Sequence, residues 1–369
     1  MPVSPELASG LAQAVLDAYL EAERALLERI ARAIAEGIDA PAWAKRQLFA
    51  VQSYRRQAEA LLAELGRTAA LAVDEAVTTA ANRGTAAAAS EVAVLLSRPV
   101  DDLLGALPGQ RAVVRLVTEA VGQVIGTHPR ILRATTDVYR QIIADVSSRA
   151  LLGAETRRET AQAALDRFAS KGITGFVDTA GRGWTMESYV EMATRTATTR
   201  ALVEAHSERL VNAGMDLVVV SDAPQECKLC RPWEGKVLSL SGATVGVIER
   251  EHATVDGRMV RVSVAGSLAM ARAAGLYHPG CRHSHSAYLP GLTRPPTATA
   301  DPEGDVARQR LRALERRVRA AKRLEAVALD ENARRAARAK VRAGQAAIRE
   351  HVATSSAKRQ SHRERLGAL

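Results

Sequence analysis

Aromatic residues are scarce in this sequence: Phe, Tyr and Trp make up 3% of its 369 residues, whereas apolar residues as a whole reach 47%. That excludes a core built on large rings and points to helices packed closely through alanine. Cysteine is scarcer still, with three copies. Three thiols cannot all pair with one another, and a C-x-x-C in an unsecreted chain favours metal or redox chemistry over a structural disulfide. No apolar run approaches the roughly 18 residues that a membrane span requires. The opening MPVSPELASGLAQ lacks a basic segment followed by an apolar one, so a soluble, unsecreted protein with no membrane partner is expected. Phosphate loop, nucleophile elbow and open-site metal triad are also missing, which argues against an enzyme.

What the sequence has in excess is positive charge, and it is unevenly placed. The net charge is +10, yet the segment from Arg308 to Leu369 alone carries 18 basic against 6 acidic residues. The remainder is slightly acidic, so a polyanionic partner is expected for the tail and not for the rest.

Leu11, Val15, Tyr19, Leu26, Ile30 and Ile34 recur at helical spacing before Gly37, which predicts a first helix over 4–36. Pro41 opens a second running to Gly66, and an alanine-rich third extends from about 68 to 97, the three forming an antiparallel bundle or arm. Helical patterns follow over 111–126 and 129–152. Thr156 and Glu159 form a capping box for a helix ending at Gly172, GITGFVDTAGRGW reads as a loop or short hairpin, and another long helix covers 185–212.

At Asp216 the texture changes. DLVVVS and KVLSL at 236–240 are short β-branched runs, and RMVRVSV at 258–264 alternates after a turn-like Asp256-Gly257. The fold class expected is mainly α, with an N-terminal helical arm or bundle (1–98), a helical connecting domain (99–214), a small α+β zinc-knuckle-like module (215–292), and a linker with a basic helical tail (293–369).

The chemistry concentrates in that module. Cys227 and Cys230 have the C-x2-C spacing by which one tight turn grips an ion, and His278 and Cys281 repeat it as H-x2-C. Together they make a Cys3His set for zinc. A complete tetrahedron has no open position, so the metal would be structural and supply folding free energy. His283 and His285 alternate, so either can replace His278; their default reading is surface or partly buried histidine. Asp222, Glu226 and Glu234 lie near the first knuckle, and carboxylate with histidine is the raw material of acid–base catalysis. A metal-dependent nuclease or toxin-like enzyme using the His278–His285 cluster is therefore the alternative function.

YRQIIADV, SKGITGFVDTAGRGWTMESYVEMATRTATTRA, DLVVVSDAPQECKLCRPWEGKVLSLSG and GLYHPGCRHSHSAYLPG, spread over Tyr139–Thr293, resemble the tailed-phage minor capsid protein 2 family, related to Mu F-type head morphogenesis proteins. The resemblance implies a noncatalytic virion component in the capsid interior near the portal vertex, passing through the host cytoplasm during assembly. Portal protein, major capsid or scaffold protein and packaged double-stranded DNA are the partners it implies. Some relatives lack a ligand at one knuckle position, whereas the full set is present here.

Arg308, Arg310, Arg312, Arg316, Arg317, Arg319, Lys322 and Arg323 place eight cations within sixteen residues of one amphipathic pattern. On a helix they are expected to cover the solvent side and to meet DNA phosphates without regard to sequence. An acidic protein surface is the competing partner. Few aromatics interleave, which argues against single-strand stacking.

Overall fold

The computed structural model describes residues 5–8, 10–96, 110–152, 156–177, 183–223, 228–278, 281–297, 299 and 301–366. Helices dominate: α1 (Gln13–Ala35), α2 (Trp43–Leu96), α3 (Gln110–Ile125), α4 (His128–Leu152), α5 (Arg157–Lys171), α6 (Met186–Asn212), α7 (Leu268–Ala273), α8 (Pro302–Ala326) and α9 (Glu331–Ala353). The strands are β1 (Thr174–Val177), β2 (Gly183–Thr185), β3 (Leu217–Val220), β4 (Val237–Ser239), β5 (Gly246–His252), β6 (Val255–Ser267) and β7 (His285–Ala287). None of the helices is long and apolar enough to cross a membrane, among the described residues.

The expected second and third helices are one. Gly66 sits inside α2, a helix of 54 residues, because a single interior glycine costs only about 1 kcal/mol against alanine and strong helix formers flank it on both sides. Position 66 faces the ring of His128, which a Cβ would approach to 3.5 Å.

Contacts divide the chain into two units: one of Met1–Ala12, Val73–Val121 and Met192–Asp305, the other of Gln13–Ala72, Gly122–Glu191 and Val306–Leu369. The boundaries cut through α2, α3, α6 and α8, so composition shifts along the sequence do not mark them.

In the second unit, α1 buries Val15, Tyr19, Leu26, Ile30 and Ile34, the stripe its periodicity predicts. The Trp43 indole N–H donates to the Ile34 carbonyl at 3.0 Å and closes the α1–α2 turn. Buried Tyr139 stacks on Tyr54 at 4.7 Å between centroids and donates to Gln47 Oε1 at 2.5 Å. The capping box of α5 is formed as read: Thr156 Oγ1 accepts from Glu159 N, and the Glu159 carboxylate accepts from Thr156 N. Gly172 ends α5 at φ +71°, and a Cβ there would lie 2.9 Å from the Glu23 carboxylate. The glycine-rich text that follows is the β1–β2 hairpin.

The first unit holds a five-stranded mixed sheet of order β5-β6-β4-β3-β7, in which only β4 and β6 run parallel. β3 reads LVVV because both its faces are covered. Val218 and Val220 join a cluster with Ala88, Val92, Leu210, Leu268 and Leu276, while Leu217 joins Val237, Val262 and Val264 on the opposite side. Asp256-Gly257 is not the hairpin turn. Ala253 and Thr254 turn the chain, and Gly257 lies within β6 at φ +71°, its N–H donating to Glu251 Oε1 at 2.6 Å where the β5–β6 register shifts. At the crossing of α2 and α6, a Cβ on Gly84 would meet the Leu202 carbonyl oxygen at 2.2 Å, so these backbones approach as only glycine permits.

Candidate functional site

The chain between β3 and β4 and the chain between α7 and β7 bring their cysteines together. Cys230 is fully buried on the turn after Lys228 and Leu229, and its Sγ lies 3.4 Å from Cys281 Sγ. Cys281 Sγ in turn lies 3.4 Å from His283 Nδ1 and accepts a hydrogen bond from the His283 backbone N–H at 3.3 Å. The three donor atoms sit within 4.8 Å of one another. A zinc ion with bonds of about 2.3 Å to sulfur and 2.0 Å to nitrogen separates tetrahedral ligands by about 3.5–3.8 Å, so small side-chain rotations admit one. Cys227 lies outside the described residues.

Among the described residues, the histidine gathered with the two sulfurs is His283. In HPGC the His278 carbonyl accepts from the Cys281 N–H at 2.9 Å and closes the turn. The half-buried His278 ring lines a small cleft with Arg195, Arg200, Arg272 and Tyr277. His283 follows Cys281 in extended chain, where residues two apart share a side.

The default reading of His283 and His285 as surface or partly buried is corrected: they are 2% and 1% exposed. His283 Nε2 lies 2.5 Å from Glu234 Oε1. With Nε2–H donating to the carboxylate, the neutral ring would turn its Nδ1 lone pair toward the sulfurs. A histidine held at its far nitrogen by a carboxylate is the outer-shell arrangement of metal-binding imidazoles. Glu234 is itself buried, accepts from the Ala223 N–H, and has a second oxygen without a hydrogen-bond partner. Asp222 instead accepts from Thr299.

Electrostatics favour the ligating form of the cysteine. Hydrogen bonding from Cys230 first, and from His283 next, outweighs burial and brings the Cys281 thiol down to about 4. Burial lowers the His283 pKa, but bonding to Cys281 and Glu234 prevails and raises it. The thiolate is the metal-binding species.

A second polar cluster adjoins this one. His285 Nδ1 lies 2.8 Å from the Tyr277 hydroxyl and Nε2 3.1 Å from Ser207 Oγ. Its ring stands 5.2 Å from that of His206, whose Nε2 lies 2.9 Å from Glu91 Oε2. Glu91 Oε1 accepts from the Ala287 N–H and so ties α2 to β7. Burial, then the neighbouring His206 and Arg272, hold the His285 pKa well below the ordinary histidine value. Tyr277 adopts φ +61°, the one non-glycine residue with positive φ among those described. Glu91 and His206 carry no sequence signal that joins them to this cluster.

The basic stretch does not lie wholly on the solvent side. Arg319 and Arg323 are buried. Arg323 pairs with Glu23 and Glu187 at 3.5 Å each and donates to the Ala169 carbonyl at 2.8 Å. Arg319 pairs with Glu187, Arg312 with Glu315, and Glu191 with Arg363. Lys322 and Arg308 are half-buried, and Arg310, Arg316 and Arg317 are exposed. Helical periodicity sends Arg312, Arg319 and Arg323 to one flank, beside the Leu311–Leu314 stripe, where carboxylates meet them.

A sequence model of a family described as phage minor capsid protein 2 matches residues 3–353. Comparison with curated proteins and with solved structures returned no match.

Proposed function

The chain belongs to the phage minor capsid protein 2 family, and from that premise we propose that it is a noncatalytic building element of the head interior near the portal vertex. In this reading the portal protein is its main partner, major capsid or scaffold protein is a further contact, and the basic helices face packaged double-stranded DNA. The module around the five-stranded sheet is clasped by structural zinc on Cys230, Cys281 and His283, with Cys227 as the fourth ligand by its C-x2-C spacing.

The observation that carries this reading is the gathering of three donor atoms from two distant chain segments. Cys230 and His283 are almost inaccessible, and the far nitrogen of His283 is held by Glu234. A fold gains from such a centre a cross-link between two chain segments. Of the histidines the nuclease-like alternative would use, His285 is committed to Tyr277 and Ser207.

Metal analysis of the purified full-length chain tests it. One zinc per chain is expected, lost in Cys230→Ser and in Cys281→Ser, with chelation lowering the melting temperature. A metal-free chain whose melting is indifferent to chelator overturns the clasp. Co-purification with the portal protein of the same phage tests the partner, and failure of the two to associate overturns it. Nuclease activity abolished by His283→Ala with folding intact would establish the alternative.

A further inference from the structure

The helix best suited to DNA is α9 and not the stretch of α8 whose cations are most densely spaced. From Asn332 to Arg349 the chain holds six cations and no carboxylate. Arg335, Arg342 and Arg349 fall seven residues apart, and a helix turns by nearly two full revolutions in seven residues, so the three share one face. All three are exposed. The packed side lies about 100° or more round the helix: Val341 and Ile348 join Leu311, Leu314 and Val318 of α8, and Gly344 meets Val318. The stripe therefore stays clear of the α8–α9 interface.

The arginines of α8 are spent differently. Arg312, Arg319 and Arg323 are engaged by Glu315, Glu187 and Glu23, which leaves Arg310, Arg316 and Arg317 to solvent. On α9, Arg338 pairs with Glu325 and Arg335 donates to Asn332, but among the described residues no carboxylate lies within ion-pair distance of Arg335, Arg342 or Arg349.

We propose that Arg335, Arg342 and Arg349 of α9 form a binding face for the phosphate backbone of duplex DNA. This rests on the reading above that the basic tail faces packaged DNA, and it names the surface. Fourteen residues of helix set the outer two arginines about 21 Å apart, a straight row of charge suited to a rigid duplex. Between them lie Ala339, Ala343 and Ala346, small enough for close approach. The row has no aromatic residue on which unpaired bases would stack, and no apolar anchor of the kind that carries a protein interface. Duplex DNA is thereby favoured over single strands and over an acidic protein.

Fluorescence anisotropy with a random-sequence duplex, between about 50 and 200 mM salt, tests the assignment on the full-length chain. Each lost phosphate contact lowers the slope of log K against log salt by about 0.9, so the triple change R335Q/R342Q/R349Q is expected to lower it by about 2.7. The triple lysine variant should keep most of the slope, and circular dichroism should show both folded as the parent, since the side chains are exposed. Loss in the glutamine variant with retention in R310Q/R316Q/R317Q supports the α9 face. The converse overturns that face while the DNA-facing tail stands. A parent chain that ignores duplex DNA at about 50 mM salt overturns both, and capture of polyglutamate instead would assign the stripe to an acidic protein.

Discussion

In the unit that carries the sheet, the polar cluster is soft and titratable: buried Cys230, His206, His283 and His285 with partly exposed Cys281, oriented by Glu91 and Glu234. In the helical unit they are carboxylates set against guanidinium groups: Glu23, Glu187 and Glu315 against Arg312, Arg319, Arg323 and Arg363. Both arrangements join segments far apart in sequence. The first needs an external ion to become strongly stabilising, because thiols and imidazoles attract one another weakly until a metal gathers them. The second needs nothing added, but every member must keep its partner, since a lone charge left in the interior is far costlier than the pair was favourable.

The sharpest way to break this comparison is in the helical unit. Arg323→Ala removes the ion-pair partner of buried Glu23 and one of the two arginines that pair with Glu187, which keeps Arg319, and should cost about 3–5 kcal/mol in denaturant unfolding. Pairing it with E23L and E187L, so that the carboxylates leave together with the arginine, should restore much of that loss; no recovery would show that the charges are not acting as a set.

In the sheet unit the matching experiment is gentler. Glu234→Gln keeps the shape beside His283 but removes the negative charge, and should weaken metal affinity by about 10–100-fold. Competition with a chromophoric chelator measures it, and an unchanged affinity would detach Glu234 from the centre.

The smallest effect is a pH dependence. Burial first, and the nearby Glu187 next, raise the Glu23 pKa to about 7 against the favourable pull of Arg323. The folded chain thus keeps a proton that the unfolded chain gives up near an ordinary carboxylate pKa. Stability from this group is fully present below that ordinary value and declines as pH rises through about 7. Urea titrations of the parent and of Glu23→Gln should converge near pH 5, with only the parent losing stability toward pH 8.

Much of this was legible from residue order. The α1 stripe, the Thr156–Glu159 capping box, the stop at Gly172 and strands β3, β4 and β6 follow from local rules, because each is decided by neighbours a few residues away. The continuity of α2 through Gly66 was not legible, because a glycine stops a helix only when the flanking residues let it. The proximity of Cys230 and Cys281 follows the matched knuckles, whereas the place of His283 beside Cys281 follows from extended chain, in which residues two apart share a side. Least legible was the fate of the α8 arginines. Charge density along a helix marks what is basic, but the carboxylates that claim Arg319 and Arg323 come from α1 and α6, more than a hundred residues earlier.

Gly172 has a consequence for how this chain can vary. The same missing methyl group lets α5 end at φ +71° and leaves room for the Glu23 carboxylate beside it. Two demands of different kind, one of backbone geometry and one of charge, thus meet on a single codon. Mutational drift at position 172 would be felt twice at once, and a compensating change elsewhere could answer only one of the two.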